Sequence, residues 1–332
     1  MPTMHAWLCE QPTGVESVQW KELPLPEPGP KQVRVAIRAA SLNFPDILIV
    51  QNKYQFKPDP PFVPGSEYSG VVDAVGTDVQ GLQRGAQVMV IGGTGGFGTH
   101  AVVDAARAQP MPQGFSFEDG AAFAFTYGTS HHALIDRATL RAGETVFVLG
   151  AAGGVGTAAI QIAKAAGARV IAGVSSQRKC ELCLQLGADA AINYSTDNLR
   201  EALKQHTGGK GPDVIYDPVG GDLAEPSFRS IAWRGRYLVV GFAQGGIPAL
   251  PLNLMLLKGA SVIGVFWGDF VRREPAASAQ SMQALAQWYA KGLVKPVIDQ
   301  MLPMERLHDA YARMATREAM GKIVMVNGQA SK

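Results

Sequence analysis

The residues best suited to chemistry lie in VFVLGAAGGVGTAAIQIAKAAG, 146–167. An apolar run ends at Gly150, Ala151-x-Gly153-x-x-Gly156 follows, and a helix-length segment with small apolar residues on one face comes next. This is a dinucleotide fingerprint with alanine at its first position. The chemistry requires a tight turn, close approach of backbone to a pyrophosphate, and a helix packed hard on its strand. The phosphates then sit at the helix N-terminus, where free N–H groups and the macrodipole favour anions. Gly153, Gly154, Val155 and Gly156 are the residues expected there. The alternative is a tight turn in a parallel sheet that binds nothing.

An acid about 20 residues beyond the fingerprint would bind the ribose of NAD. Here the next strand ends in Val174, followed by Ser175, Ser176, Gln177, Arg178 and Lys179. Two hydroxyls and two cations stand where the carboxylate would be. A 2′-phosphate carries nearly two negative charges, which an acid repels and this set holds. The expected cofactor is therefore NADPH. The competing reading is that 175–179 only caps and solvates a helix start, and Ser175 or Ser176 also suits an N-cap.

Metal chemistry has little to work with. The six histidines are His5, His100, His131, His132, His206 and His308. Only His131 and His132 are neighbours, and adjacent residues on a helix point about 100° apart. Cys180 and Cys183 form C-x-x-C with no second ligand pair and read as small core residues of one helix face. No zinc site is expected.

The elements that must hold these residues can be read in turn. Residues 31–38, KQVRVAIR, alternate, with Val33, Val35 and Ile37 on one face of a half-buried strand. Leu23–Pro30, LPLPEPGP, reads as a stiff connector. Strand-like pieces at 70–75 and 86–91 between Gly-rich loops make the first third an antiparallel β barrel or sandwich. Near residue 120 the texture changes. Apolar strands at 146–150, 169–174, 190–194, 213–217, 236–241 and 261–266 alternate with helix candidates at 155–167, 177–187 and 197–206. That is a parallel, doubly wound sheet. Residues 278–291 and 305–318 carry apolar residues at helical spacing, Gly321 is placed to stop the second helix, and 322–326 is a last strand.

Composition narrows the class. The chain has 332 residues, long enough for two domains. Hydrophobic residues are 47%, which supplies a core and excludes disorder as the main state. Charged residues are only 17% against the usual ~25%, and the 38 glycines imply many tight turns. Thirty basic residues against 28 acidic ones leave +2, so charge points to neither nucleic acid nor a membrane surface. Three cysteines suit a reducing cytosol, and with no signal segment in MPTMHAWLCEQP a cytoplasmic location is expected.

Read together, LPLPEPGPKQVRV, LNFPDILIVQNKYQFKP, PFVPGSEYSGVV, AFTYGTSHHAL, VLGAAGGVGTAAIQIAK, DPVGGD and GRYLVVGFAQGGIP resemble the medium-chain dehydrogenase/reductase superfamily. The closer resemblance is to its zinc-independent quinone oxidoreductase (zeta-crystallin-like) branch. Zinc members carry Cys and His ligands in the first domain, and those positions are Asn43 and Ser66 here. The four-cysteine lobe is also absent. The resemblance implies a Rossmann-type sheet, 123–269, inserted into a mainly antiparallel GroES-like substrate domain, 1–122 plus 270–332. It places Asn43, Thr126, Phe242 and Phe266 near a nicotinamide and Tyr194 near the adenosine phosphate. Phe242 and Phe266 end apolar strands and equally suit the core, and Asn43 and Thr126 suit turns.

The implied activity is NADPH-dependent hydride transfer, without metal, to a quinone, whose ring and oxygens spread the negative charge. An α,β-unsaturated carbonyl, such as an enoyl thioester or alkenal, is the runner-up, since its enolate also delocalises. Asn43 and Tyr54 are the candidate proton or hydrogen-bond donors. Tyr54, in a Pro- and Lys-rich loop, equally reads as a wet aromatic. A third reading is a non-catalytic NADPH-binding structural or RNA-binding protein, and the missing basic, aromatic-interleaved stripe opposes it. The apolar sixth strand, at a sheet edge, implies a homodimer.

Overall fold

Short apolar runs at the N-terminus pair before any helix forms. The computed structural model describes residues 2–328. Strands β1 (Thr3–Cys9) and β2 (Val18–Pro24) make an antiparallel hairpin. Leu23 and Pro24 are thus strand, and only the rest of the proline-rich run connects. After β3 (Gln32–Leu42) come the short helix α1 (Phe44–Val50), β4 (Glu67–Val75), β5 (Gln87–Ile91), β6 (His100–Asp104), β7 (Ala108–Pro110) and the helix α2 (Phe117–His131). The two helices escape the sequence reading because α1 is short and α2 is buried nearly all round and shows no amphipathic stripe.

Next comes the alternation of strand and helix. Its strands are β8 (Thr145–Leu149), β9 (Arg169–Val174), β10 (Ala190–Asn193), β11 (Val214–Asp217), β12 (Arg236–Val239) and β13 (Ser261–Gly264). The helices are α3 (Gly154–Ala165), α4 (Gln177–Gln185), α5 (Leu199–His206), α6 (Ala224–Arg229), α7 (Leu252–Lys258), α8 (Trp267–Arg273) and α9 (Pro275–Ala290). The chain ends through β14 (Ile298–Pro303), α10 (Leu307–Ala315) and β15 (Lys322–Val326). α10 stops at Thr316, with Arg317 left-handed at φ 58°, well before Gly321.

Two units result: Met1–Phe125 with Ile298–Lys332, and Thr126–Val297. The second boundary falls at Ile298, not at 270, because α8 and α9 belong to the second unit. In the first unit the sheet order is β14-β15-β3-β4-β5-β7, with β6 also on β3. β3 alternates as read, burying Val33, Val35 and Ile37, and is then buried on both faces from Ala39 to Leu42. Ala121 and Ala122 of α2 cluster with Ala39 there, which covers the second face.

In the second unit six parallel strands run in the order β10-β9-β8-β11-β12-β13. Val146, Phe147, Val148 and Leu149 of the central strand are all fully buried, as helices on both faces demand. β13 is the edge, with Val262 exposed, and α7 beside it in sequence exposes Leu252, Leu256 and Leu257. No helix among the described residues is long and apolar enough to cross a membrane.

Candidate functional site

Within the second unit, parallel pairing brings the C-terminal ends of all six strands to one side. The residues directly beyond those ends are the ones the sequence singles out. After β8, Gly150 turns left-handed at φ 58° and Gly153 caps α3. Gly154 and Val155 open the helix, whose first N–H groups have no acceptor within it. The two fingerprint glycines do different work. A Cβ on Gly156 would lie 2.4 Å from the Gly150 carbonyl oxygen and 2.7 Å from Ala151 backbone, so this glycine lets helix meet strand. A Cβ on Gly153 would meet only that same oxygen, at 3.3 Å. The fold crowds Gly153 far less than Gly156, and that fits close approach by a pyrophosphate.

Beyond β9, Ser176 is the N-cap of α4, its Oγ accepting from the Lys179 N–H at 3.4 Å. The Lys179 ammonium turns back to the Ser175 hydroxyl at 3.3 Å. Hydroxyls and a cation therefore converge at the strand end, and Arg178 stands exposed on the first turn. Tyr194 follows β10, its N–H donating to the Val174 carbonyl at 2.9 Å, which puts it level with Ser175. β12 and β13 end at Val239 and Gly264, earlier than the sequence suggests. So Phe242 and Phe266 stand in the segments after the strands, not in them. Phe242 is half-buried over Gly220, and Phe266 is exposed. Thr126 is buried within α2.

The two cysteines of C-x-x-C are buried and free, one face of α4 as expected. His131 and His132 diverge: the first meets Trp288 at 5.7 Å, the second stacks on Phe270 at 4.0 Å. Among the described residues no cluster of three or more His, Cys, Asp or Glu is placed to hold a metal ion.

The first unit holds Asn43, and here the structure adds four residues that sequence reasoning passed over. Strand register sets three of them. Ile323 pairs with Leu42 and Tyr68 with Ala40, so Lys322 comes level with Asn43 and Glu67 with Ser41. The Lys322 ammonium donates to Asn43 Oδ1 at 2.5 Å and to Glu67 Oε2 at 3.2 Å. The same Oε2 accepts from Asn43 Nδ2 at 3.0 Å and Ser41 Oγ at 2.8 Å. Glu67 Oε1 accepts from the Phe125 N–H at 2.8 Å. A lysine opening the apolar run KIVMV, and a glutamate between the glycines of PGSEYSG, were the available signals: charges in apolar stretches are buried only with partners.

Asp46, the fourth residue, accepts from the Asn43 N–H at 2.8 Å and caps α1. Its Oδ1 and the Ser66 Oγ are buried without a hydrogen-bond partner. Burial pushes the Asp46 carboxyl up to about 6. The Asn43 N–H, the Ser66 hydroxyl close by and the Lys322 charge oppose that rise, and the Glu67 charge adds to it. Tyr54 is half-buried against the same core, not a wet surface aromatic. Its phenol is raised above the ordinary value, first by burial and then by the Asp46 charge, so it is a protonated donor at neutral pH.

Two outcomes are expected. Gly156→Ala should destabilise by roughly 1–3 kcal/mol in urea melts, because backbone must give way. Gly153→Ala should melt within about 0.5 kcal/mol of wild type yet lose about tenfold or more in dinucleotide affinity by fluorescence titration. Equal affinity would exclude phosphate at that turn. For Asp46 the folded pKa lies above the unfolded ~3.9, so the folded state holds the extra proton between the two. The stability this carboxyl contributes is present below about pH 4 and lost as pH rises through about 6. Asp46→Asn, which keeps an acceptor for the Asn43 N–H, should therefore stabilise at pH 8, by up to roughly 3 kcal/mol, and not at pH 4.5. Equal destabilisation at both pH values contradicts this assignment.

Comparison with known proteins agrees with this geometry. Residues 29–113 match the alcohol dehydrogenase GroES-like domain, and 154–287 match the zinc-binding dehydrogenase family. Quinone oxidoreductase-like protein 2 of Rattus norvegicus is 36% identical, over 96% of this chain and 96% of its own. The crystal structure of a Pseudomonas syringae pv. Tomato DC3000 quinone oxidoreductase superposes with TM-score 0.89 at 28% identity, covering 98% of this chain and 100% of that one. A mycobacterial protein solved in complex with NADPH gives TM-score 0.90 at 25% identity, again over 98% and 100%. With its GroES-like and Rossmann-type units and its nicotinamide-dinucleotide fingerprint, the chain belongs to the quinone oxidoreductase branch of the medium-chain dehydrogenase/reductase superfamily.

Proposed function

We propose that the protein is an NADPH-dependent reductase of quinones that works without a metal ion in a reducing cytoplasm. The observation that carries the reading is the pair of side chains at 43 and 66. Asn43 and Ser66 are poor zinc ligands, and the Lys322 ammonium on Asn43 Oδ1 would repel a dication there. A site built this way suits an acceptor that spreads its own negative charge. The names of the relatives support a quinone, and the NADPH-bound neighbour supports the cofactor.

Bound, the nicotinamide supplies a hydride, and with one proton the quinone becomes a hydroquinone. The protein's own part is binding, orientation and donation. Gly153, Gly154, Val155 and Gly156 hold the pyrophosphate with backbone N–H groups. Ser175, Ser176, Arg178 and Lys179 hold the 2′-phosphate, with Tyr194 beside them; Thr126, Phe242 and Phe266 enclose the nicotinamide. Asn43 donates a hydrogen bond to the acceptor oxygen, and Tyr54, a protonated phenol, supplies the proton.

Because only NADPH carries the 2′-phosphate, changes in its pocket should spare NADH. Lys179→Ala should raise the NADPH KM about ten- to a hundredfold with kcat nearly unchanged, the worth of one charge-assisted hydrogen bond. Val174 is buried, so the acid that would recruit NADH belongs at 175, where Ser175→Asp should invert the preference. Unaltered NADPH to NADH ratios in both variants would place the phosphate elsewhere. Product analysis against quinones, enoyl thioesters and alkenals tests the acceptor: enoyl turnover about tenfold or more above quinone turnover in kcat/KM would reassign the enzyme to enones.

We also propose a homodimer in which the open edge of β13 pairs with a second copy and the exposed leucines of α7 are covered. Sedimentation at micromolar concentration should show a dimer that Val262→Lys dissociates. A wild-type monomer would refute it.

A further inference from the structure

Hydride reduction does not of itself need a buried ion pair beside Asn43, yet one is there. The Lys322 and Glu67 side chains are 5% and 0% exposed. Burying both charges is no better for stability than an apolar pair of the same volume, so the pair is weak evidence for a purely structural role. What it does do is visible in the hydrogen bonds. Asn43 Oδ1 faces the ammonium and Asn43 Nδ2 faces the Glu67 carboxylate. The flipped carboxamide would aim N–H at a cation and oxygen at an anion. Only one orientation is therefore allowed, and it leaves one Nδ2–H uncommitted to Glu67. An ammonium on the oxygen also draws density from the amide nitrogen and makes that N–H a stronger donor.

We propose that Lys322 is a positioning residue of the site: with Glu67 it locks and polarises the Asn43 carboxamide, so that the remaining Nδ2–H is a fixed donor to the carbonyl oxygen of the acceptor. The ammonium thereby acts, through an amide, where a metal ion would polarise the carbonyl directly. The inference rests on the reductase reading above and holds for a quinone or an enone alike.

Lys322→Met alone leaves Glu67 charged, buried and unpaired, and that variant will fold poorly. The informative variant is Lys322→Met with Glu67→Gln, which is neutral and keeps an acceptor for the Phe125 N–H. Two readouts are compared with wild type. In the protein without cofactor, the Asn43 side-chain amide signals, identified by their loss in Asn43→Ala, should exchange with solvent about tenfold or more faster. With NADPH and a 1,4-naphthoquinone, kcat should fall roughly ten- to a hundredfold, while the NADPH Kd by fluorescence stays within about twofold. Adding Asn43→Ala to the neutral variant should slow it no further, because the residues act as a unit. A neutral variant with wild-type kcat, or with unchanged Asn43 amide exchange, overturns the proposal and leaves the reductase reading standing. A wild-type protein that reduces neither quinone nor enone overturns that reading, and the proposal with it.

Discussion

A buried ammonium paired with a buried carboxylate sets the terms for the first unit. Lys322 and Glu67 are 255 positions apart, and neither can be buried unless the other is in place. Leaving one alone costs roughly 3–5 kcal/mol, a large part of a domain's net stability. The pair therefore demands that β15 return to lie against β3, and it fixes the register on both sides of that strand. Ser41, Asn43 and the Phe125 N–H complete the shell of Glu67, so β3, α2, β4 and β15 meet at one charged point. Asn43 is the one member of that shell whose side chain touches both charges, which is why its orientation is determined.

The second unit faces a different electrostatic problem, with few buried charges of its own. On the proposed reading a dinucleotide brings several negative charges, and the strand ends offer them backbone N–H groups at α3, hydroxyls at 175 and 176, and the Lys179 ammonium. Parallel pairing does the gathering: a two-residue error in the end of β12 or β13 leaves Phe242 and Phe266 at the same end of the sheet. The less crowded Cβ direction at Gly153 and the crowded one at Gly156 separate, on the proposed reading, what serves a ligand from what serves packing.

Much of this was legible because it is local. The glycine turn, the six strands and the serine cap of α4 each depend on residues within a few positions of one another. The alternating burial of β3 was readable for the same reason. The buried network was not, since Lys322, Glu67 and Asn43 acquire meaning only through register across the sheet. Asp46 drew no attention because α1 itself went unread, and nothing in NFPD announces that its second oxygen is sealed from water. The boundary near 270 failed because α8 and α9 resemble the tail in texture, while their contacts belong to the second unit. The sequence pattern also overextended β12 and β13, whose apolar residues continue past the last paired position.

The central claim is that this chain moves a hydride from NADPH to an electrophilic acceptor using amide, phenol and ammonium groups in place of a metal. The most direct measurement is an anaerobic single turnover with one equivalent of quinone, in the presence of a zinc chelator, comparing NADPH with NADPH deuterated at the transferred position. The account predicts stoichiometric oxidation of the cofactor, slower with deuterium, at a rate the chelator does not change. Oxidation that chelation abolishes and zinc restores, or no oxidation at all, would contradict it.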